Sequence, residues 1–507
     1  MKTNIPERIA ALREAMKEKN IDAYIIPSSD PHLSEYPADR WKSREWISGF
    51  DGSAGTVVVT ADKAGLWTDS RYFLQAGIQL EGSGIELYKM ALPETPTIQE
   101  FLLHELESGQ TVGTDGQTYS VAETAILEKA LRRKEIKLET SCDLIDLVWK
   151  DRPAIPGNPL FEMPVELSGK SVREKLDELN NKLRKEGADC LILAALDEVA
   201  WTFNIRGTDV AYNPVVISYA FVSEDESVLF IDPKKITAES AENLKKEGVI
   251  LADYTMIQKY LSRLSENSRV FIDPAKTNIS LYNALPKGCT IIEGITPANH
   301  LKSIKNETEI KGFRNAVIKD GIALTRFYIW LEKKLVAGEK VTELSASAML
   351  TALRAEQPQY IMDSFETICG YAAHGAIVHY AATPETDVEI KADSMLLMDS
   401  GAQYLDGTTD ITRTIAICDE PSEQMKKDFT RALKGTIGIA KCKFPAGIRG
   451  CLIDAFARKA LWDAGINYLH GTCHGIGHCL NVHEGPQSIR MEENPVILEP
   501  GMVMSDE

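Results

Sequence analysis

Two aspartates and a cluster of histidines near the C-terminal end are the residues whose types and spacing could do chemistry. The aspartates lie in Met395-Leu-Leu-Met-Asp399-Ser-Gly-Ala-Gln-Tyr-Leu-Asp-Gly-Thr-Thr-Asp410-Ile-Thr-Arg-Thr-Ile-Ala-Ile417. An apolar run ends in Asp399 and a return run alternates around Asp410, so the stretch reads as two strands flanking a polar turn. A turn centred on Tyr404 and Leu405 would set Asp399 directly opposite Asp410. Opposed residues share a sheet face with Cβ atoms about 5 Å apart. Carboxylates that close resist joint ionisation, so the pair calls for a shared proton or a cation between them. The plainer reading makes one aspartate a turn residue.

Six of the nine histidines fall between His374 and His483. The densest stretch is His470-Gly-Thr-Cys-His474-Gly-Ile-Gly-His478-Cys-Leu-Asn-Val-His483-Glu-Gly-Pro486. His470 and His474 share the spacing of the helical zinc motif HExxH. Neither is followed by Glu, however, and Gly471, Gly475 and Gly477 oppose a helix, which argues against that class. Two Asp with several His and no clustered thiolates suit a harder divalent ion such as Mn²⁺, with Co²⁺ or Zn²⁺ as alternatives. Cys473 and Cys479 read as small apolar packing groups. A second acidic cluster, Asp506-Glu507, follows Met502–Met504, which reads as a buried strand ending in carboxylates. The plainer reading there is a solvated terminus.

Several elements must position these groups. The first helix signal is Pro6–Lys19, followed by a strand at Ala23–Ile26. Trp46-Ile-Ser-Gly-Phe-Asp-Gly-Ser-Ala-Gly55 is a glycine-rich bend; it lacks the GK[ST] ending of a phosphate cradle and reads as a structural turn. Thr56–Thr60 and Gly65–Thr68 read as a hairpin. The pattern recurs: a helix with Leu176, Leu179 and Leu183, a strand at Cys190–Ala194, and a strand–turn–strand from Phe221 to Ile231. This predicts two copies of one α/β unit, joined near the proline-rich Asp151–Pro159. After Leu301 the regime changes. Amphipathic helices are predicted from Ile310 to Leu331, over Val341–Arg354, around Met425–Ile437 and around Leu452–Ala460, with Gly465 as a stop. Strand-like segments at Ala376–Tyr380, in the Asp hairpin and at Leu480–His483 make this part α+β.

Composition bounds the partners. A net charge of −18 over 507 residues argues against nucleic acid or an anionic membrane as partner. No run of about 18 apolar residues exists, so no membrane span is expected. The N-terminal Met-Lys-Thr-Asn-Ile-Pro-Glu lacks a signal-peptide core. Nine cysteines, an odd number without a CxxC pair, suit a reducing compartment. A cytoplasmic protein is expected.

The motifs together resemble a known family. Ser34-Glu-Tyr, Ser48-Gly-Phe-Asp-Gly-Ser-Ala-Gly and Trp67-Thr-Asp-Ser-Arg-Tyr-Phe-Leu-Gln are similar to the first domain of the long, three-domain Xaa-Pro aminopeptidases, metallopeptidases of the pita-bread fold. His379-Tyr-Ala-Ala-Thr-Pro-Glu-Thr, Asp399-Ser-Gly, Gly407-Thr-Thr-Asp-Ile-Thr-Arg-Thr, His470-Gly-Thr-x-His-Gly-Ile-Gly and Asn481-Val-His-Glu-Gly-Pro are similar to its catalytic domain. The resemblance implies a mixed α/β architecture: creatinase-like domains at 1–152 and 158–302, then a pita-bread domain at 303–507 that is C-terminally incomplete. It implies two Mn²⁺ per subunit, with Asp399 a ligand of one, Asp410 bridging both, and His474 and Glu507 on the second. His379, His470 and His483 fall on pocket histidines that hold substrate and stabilise the tetrahedral intermediate. Arg71 matches an arginine that reaches the substrate cleft, and Arg413 supports the hairpin. His374 and His478 receive no role. A homodimer through the third domain is implied as well.

The implied reaction is hydrolysis of the first peptide bond of substrates with proline at the second position. A metal-bridged hydroxide is the nucleophile and Glu507 the proton acceptor. A prolidase acting on dipeptides, a methionine aminopeptidase and a non-catalytic pita-bread module that binds peptide or protein are the alternatives. The duplicated N-terminal units favour the aminopeptidase. The family continues past Asp-Glu into a further strand with a fifth ligand, a bridging Glu, so this chain as given is expected to be metal-poor and weakly active or inactive.

Overall fold

The computed structural model describes residues 5–507; the first four residues of the stretch read for targeting signals lie outside them. By contacts the chain forms two compact units. One runs to Glu162 and takes in Val172–Val210 and Val215–Pro297. The other comprises Met163–Ser171, Ala211–Pro214 and Ala298–Glu507.

The first unit holds the two repeats. The helix Ile5–Glu18 buries Ile9, Leu12 and Met16. It ends at Asn20, whose φ of 56° is the left-handed turn that stops a helix. The first sheet follows, with β1 (Ala23–Pro27), β2 (Thr56–Thr60), β3 (Ala64–Thr68), β4 (Glu86–Lys89), β5 (Thr111–Thr114) and β6 (Lys137–Glu139) in the order β4-β3-β2-β1-β5-β6. The second repeat contains β7 (Phe161–Glu162), β8 (Cys190–Leu193), β9 (Ile205–Arg206), β10 (Ser218–Ser223), β11 (Ser227–Ile231), β12 (Val249–Ala252), β13 (Arg269–Ile272) and β14 (Thr290–Glu293). Its sheet has the order β12-β11-β10-β8-β13-β14, while β7 and β9 pair separately.

The correspondence reaches individual residues. Gly187, with φ of 71°, ends the helix Val172–Glu186 as Asn20 ends the first. Asp22 accepts the Thr111 N–H at 2.8 Å, and Asp189 accepts the Arg269 N–H at 2.8 Å. Each aspartate thereby sets the start of the parallel strand beside it. Residues 151–159, the predicted linker, form neither helix nor strand.

In the second unit, Asn306 and Glu309 form a capping box that starts the long helix Glu307–Val336. Phe327 and Leu331 of this helix pack with Leu350 and Leu353 of the helix Glu343–Ala355 and with Leu396 and Met398. The strands are β15 (Tyr360–Asp363), β16 (Ile368–Tyr371), β17 (Met395–Ser400), β18 (Ala402–Tyr404), β19 (Gly407–Thr408), β20 (Ile411–Ala416), β21 (Cys473–Gly475) and β22 (Glu484–Ile489). They form a β16-β17-β20 sheet, a β15-β18-β19 sheet and a β21-β22 pair. The helices Glu423–Ala440 and Asp454–Trp462 meet at Gly435, where a Cβ would lie 2.3 Å from the Ala457 carbonyl oxygen. The stripe of Phe429, Leu433 and Ile437 is half-exposed instead of buried. Gly465 turns left-handed with φ of 73°, as its place after the last helix predicts. No helix among the described residues is long and apolar enough to cross a membrane.

Four expectations are corrected. The hairpin register pairs Asp399 with Thr412 and Tyr404 with Gly407, so the turn centres on Leu405 and Asp406, and Asp399 is not directly opposite Asp410. Ala376–Tyr380 is irregular after a single 3-10 turn at Ala372–Ala376. Leu480–His483 is a loop, and the strand begins at Glu484. Met502–Met504 makes only isolated bridges, from Met502 to Ile304 and from Met504 to Gly475.

Candidate active site

The hairpin supplies the first two carboxylates. Asp399 lies near the end of β17 and Asp410 immediately precedes β20. The register is offset by two residues, which preserves the side-chain parity of a strand. Asp410 is therefore the diagonal neighbour of Asp399 on the same face, within reach of its side chain. Gly401 permits the crossing between the sheets: a Cβ there would lie 1.9 Å from the Thr409 carbonyl oxygen. Arg413 donates to the Thr412 carbonyl at 2.7 Å and stays with the hairpin.

The remaining groups come from the C-terminal stretch. Ile476 N–H donates to Val503 O, Ser505 N–H to His474 O and Glu507 N–H to Thr472 O, at 3.1, 2.9 and 3.0 Å. This antiparallel run brings Glu507 beside His474 without a formal strand. His474 Nε2 lies 2.8 Å from Glu507 Oε1 and 3.2 Å from Asp410 Oδ2. The His474 and His483 rings meet edge to face with centroids 4.4 Å apart. Ligand-capable atoms of Asp410, His474 and His483 all lie within 4.8 Å of one another.

The electrostatics are those of a site short of positive charge. Burial and then the neighbouring Asp410 push Asp399 up to about 7. Asp399 Oδ1 is buried without a hydrogen-bond partner. Burial disfavours the His474 imidazolium, but Asp410 and Glu507 outweigh it and raise the group to about 10. Burial likewise disfavours ionised Glu507, and His474 overcomes it, holding the carboxyl at about 2. Asp399 and His474 are the groups that hold protons here, and cation binding to such donors releases protons. Asp399, Asp410, His474 and Glu507 fit the implied metal pair on that ground.

The other predicted residues are more dispersed. His483 joins the cluster directly. His470 is half-buried, with Nδ1 2.7 Å from the Gly471 carbonyl oxygen and its ring against Tyr468. His379 sits half-buried on the loop after the 3-10 turn. Neither belongs to the set within ligand distance. Arg71, in the first unit, forms a two-pronged ion pair with Asp69, both contacts 2.8 Å, which holds its guanidinium firmly charged. His478 is buried against Phe313. Asp506 is pushed up to about 6 by burial and by Glu507.

Sequence reasoning missed a supporting network. Gln403 is fully buried and donates to Leu480 O at 2.8 Å and Tyr212 O at 3.1 Å, while accepting from Thr408 Oγ1 at 2.7 Å. It ties the connection between the two aspartates to the His474–His483 loop. An amide in an otherwise apolar strand was the available signal. Glu484, next to His483, is buried between Lys302 at 2.8 Å and Lys305.

Residues 8–147 and 151–309 each match a model of the Creatinase/Prolidase N-terminal domain, and residues 311–507 match Metallopeptidase family M24. Two creatinase-type domains followed by a pita-bread domain make the protein a metallopeptidase of that class. The probable Xaa-Pro aminopeptidase P of Laccaria bicolor is 43% identical over 99% of this chain and 79% of its own length. The aminopeptidase P2 of Arabidopsis thaliana is 38% identical over 100% of this chain and 76% of its own. In structure, the X-prolyl aminopeptidase of Caenorhabditis elegans, a cytosolic enzyme with a di-nuclear active site, superposes with a TM-score of 0.95. It is 34% identical over 99% of this chain and 84% of its own. The chain belongs to the Xaa-Pro aminopeptidases, metal-dependent hydrolases of family M24. The Xaa-Pro dipeptidase of Bacillus anthracis, 22% identical with a TM-score of 0.53 over 66% of this chain and 89% of its own, shares the fold.

Proposed function

We propose that this chain removes the N-terminal residue from peptides of three or more residues whose second residue is proline. The observation that carries the reading is the convergence of Asp410, His474 and Glu507 beside Asp399, with His474 Nε2 2.8 Å from Glu507 Oε1 and 3.2 Å from Asp410 Oδ2. These four residues are assigned as ligands of two Mn²⁺ ions, which when bound supply Lewis acidity and acidify water. Glu507, held ionised, accepts the proton of the attacking water on a carboxylate oxygen. His379 and His483 donate N–H groups to the developing oxyanion, and His470 holds substrate. The carboxylates attract the free α-amine and limit cleavage to the first bond. Proline lacks an N–H and has a fixed φ, which ordinary peptidases reject, so a pocket shaped to it is required. We assign Arg71 to the substrate from the first repeat. Domains at 1–152, 158–302 and 303–507, a cytoplasmic location and a homodimer through the third domain complete the reading. The duplicated N-terminal repeats and the cytosolic relative support it.

The test is hydrolysis with saturating Mn²⁺, comparing a Gly-Pro dipeptide with an Arg-Pro-Pro tripeptide. Release of free arginine from the tripeptide is expected. Cleavage of the dipeptide alone would identify a prolidase. Cleavage of neither at full metal occupancy would leave a binding module. Light scattering at micromolar concentration should give twice the chain mass; a monomeric mass would rule out the dimer.

A further inference from the structure

The helix Glu343–Ala355 begins with a carboxylate that has no part in the site described above. Glu343 is fully buried. Its carboxylate takes three donors from one stretch of chain: the Tyr371 N–H at 2.8 Å, His374 Nδ1 at 2.9 Å and the Tyr380 hydroxyl at 2.8 Å. An ionised carboxylate can only accept, so His374 carries a proton on Nδ1 and Tyr380 turns its O–H inward. The two rings pack at a tilt of 32°, with centroids 4.3 Å apart. Such a buried charge is tolerated only when fully hydrogen-bonded, and the first turn of a helix favours a negative group as well.

The same helix start grips the far end of the stretch. Asp387 accepts the Leu344 N–H at 3.0 Å, Glu343 N–H donates to Val388 O at 3.2 Å, and Ile390 N–H donates to Val341 O at 2.9 Å. Between these anchors the chain has only one 3-10 turn, and it is there that His379 sits, next to Tyr380. A turn closed by the Tyr380 N–H on Ile377 O at 3.1 Å carries His379, and the grip on the two flanks holds that turn against the helix start.

We propose that Glu343 is a positioning residue for His379, acting through His374 and Tyr380. The inference rests on the reading of His379 as a group that faces substrate. It gives His374 a use: its ring fills the space beside Tyr380 and bonds the loop to the helix.

Two variants test it in the full chain. Glu343→Gln keeps the shape and withdraws the charge; Tyr380→Phe is milder and removes one donor. Each should lower kcat/KM on Arg-Pro-Pro by about 10- to 100-fold, the scale of a misplaced group, with Mn²⁺ content unchanged. In a His379→Ala background neither should cost more than about twofold, because residues acting as one unit are not additive. Losses that add fully in that background would overturn the proposal. A second readout does not depend on turnover. With ¹³C-labelled histidine, the His379 ring resonance, assigned by its disappearance in His379→Ala, should shift or broaden in both variants while those of His104 and His300 stay. An unmoved His379 resonance would overturn the proposal. If the parent chain, fully loaded with Mn²⁺, fails to cleave Arg-Pro-Pro, the functional reading has failed, and the resonance alone decides the positioning.

Discussion

Single atoms carry most of the functional argument. Asp399 Oδ1 is buried, unpartnered and next to a second carboxylate, so its group rests near neutrality at about 7. An amide there keeps the volume and loses the charge that a hard cation needs. Asp399→Asn should weaken Mn²⁺ binding by about 10- to 100-fold or more, read by titration calorimetry; unchanged affinity would remove Asp399 from the ligand set. A second carboxyl behaves similarly in the other unit. Asp115 in the first unit is raised from 3.8 to about 7 by burial and then by Asp143. The folded state therefore holds more protons than the unfolded chain between those values, so stability falls as pH rises from about 4 to about 7. Asp115→Asn should flatten that fall, measured as the difference in urea midpoints between about pH 4.5 and 7.5. An identical pH slope in both proteins would contradict it. The site aspartates were legible in the sequence because an apolar run ends in Asp399 and a return run alternates around Asp410. Glu343 and Gln403 were not, because most of their partners lie 28 to 191 residues away.

At the level of elements, periodicity served the helices well and glycine decided how they meet. The helix Glu423–Ala440 was readable from its apolar stripe, but Gly435, not the stripe, is the buried contact. Adding a side chain 2.3 Å from the Ala457 carbonyl must part the helices. Gly435→Val should cost about 1–3 kcal/mol, the range for overpacking, seen as a lower Tm of the second unit; an unchanged Tm would show that the pair slides freely. Strands were read less well. Ile377-Val378 and Leu480 to Val482 have strand-like residues but are held as loops, the first by a helix start and the second by Gln403 and Thr408. The hairpin register was off by two because turn length is not written in the alternation. Parity survived the error, and parity is what puts both aspartates on one face.

For the whole molecule, the repeat is the clearest inheritance from the sequence. Paired helix ends, paired aspartates and matching strand orders all follow from the spacing seen in Asn20-Ile-Asp22 and Gly187-Ala-Asp189. All four assigned ligands lie in the second unit. A ligand that binds only the folded form stabilises what it touches. Mn²⁺ should therefore slow hydrogen exchange in peptides spanning Met395–Ala416 and Thr472–Glu507, leaving those spanning β1 and β2 unchanged. Equal protection of the first unit would show that the metal's effect is not confined to its own unit.

The division into units does not follow chain order, and that has a consequence for synthesis. Met163–Ser171 and Ala211–Pro214 belong by contact to the second unit but are translated with the first. The Ser168 carbonyl accepts from Asn306, made 138 residues later, and the Tyr212 carbonyl from Gln403, made 191 residues later. Ribosomes add about 5–20 residues per second, so these carbonyls stay hydrated on the nascent chain for many seconds after the strands around them can pair. The second unit can close on its own early segments only as Asn306 and Gln403 emerge.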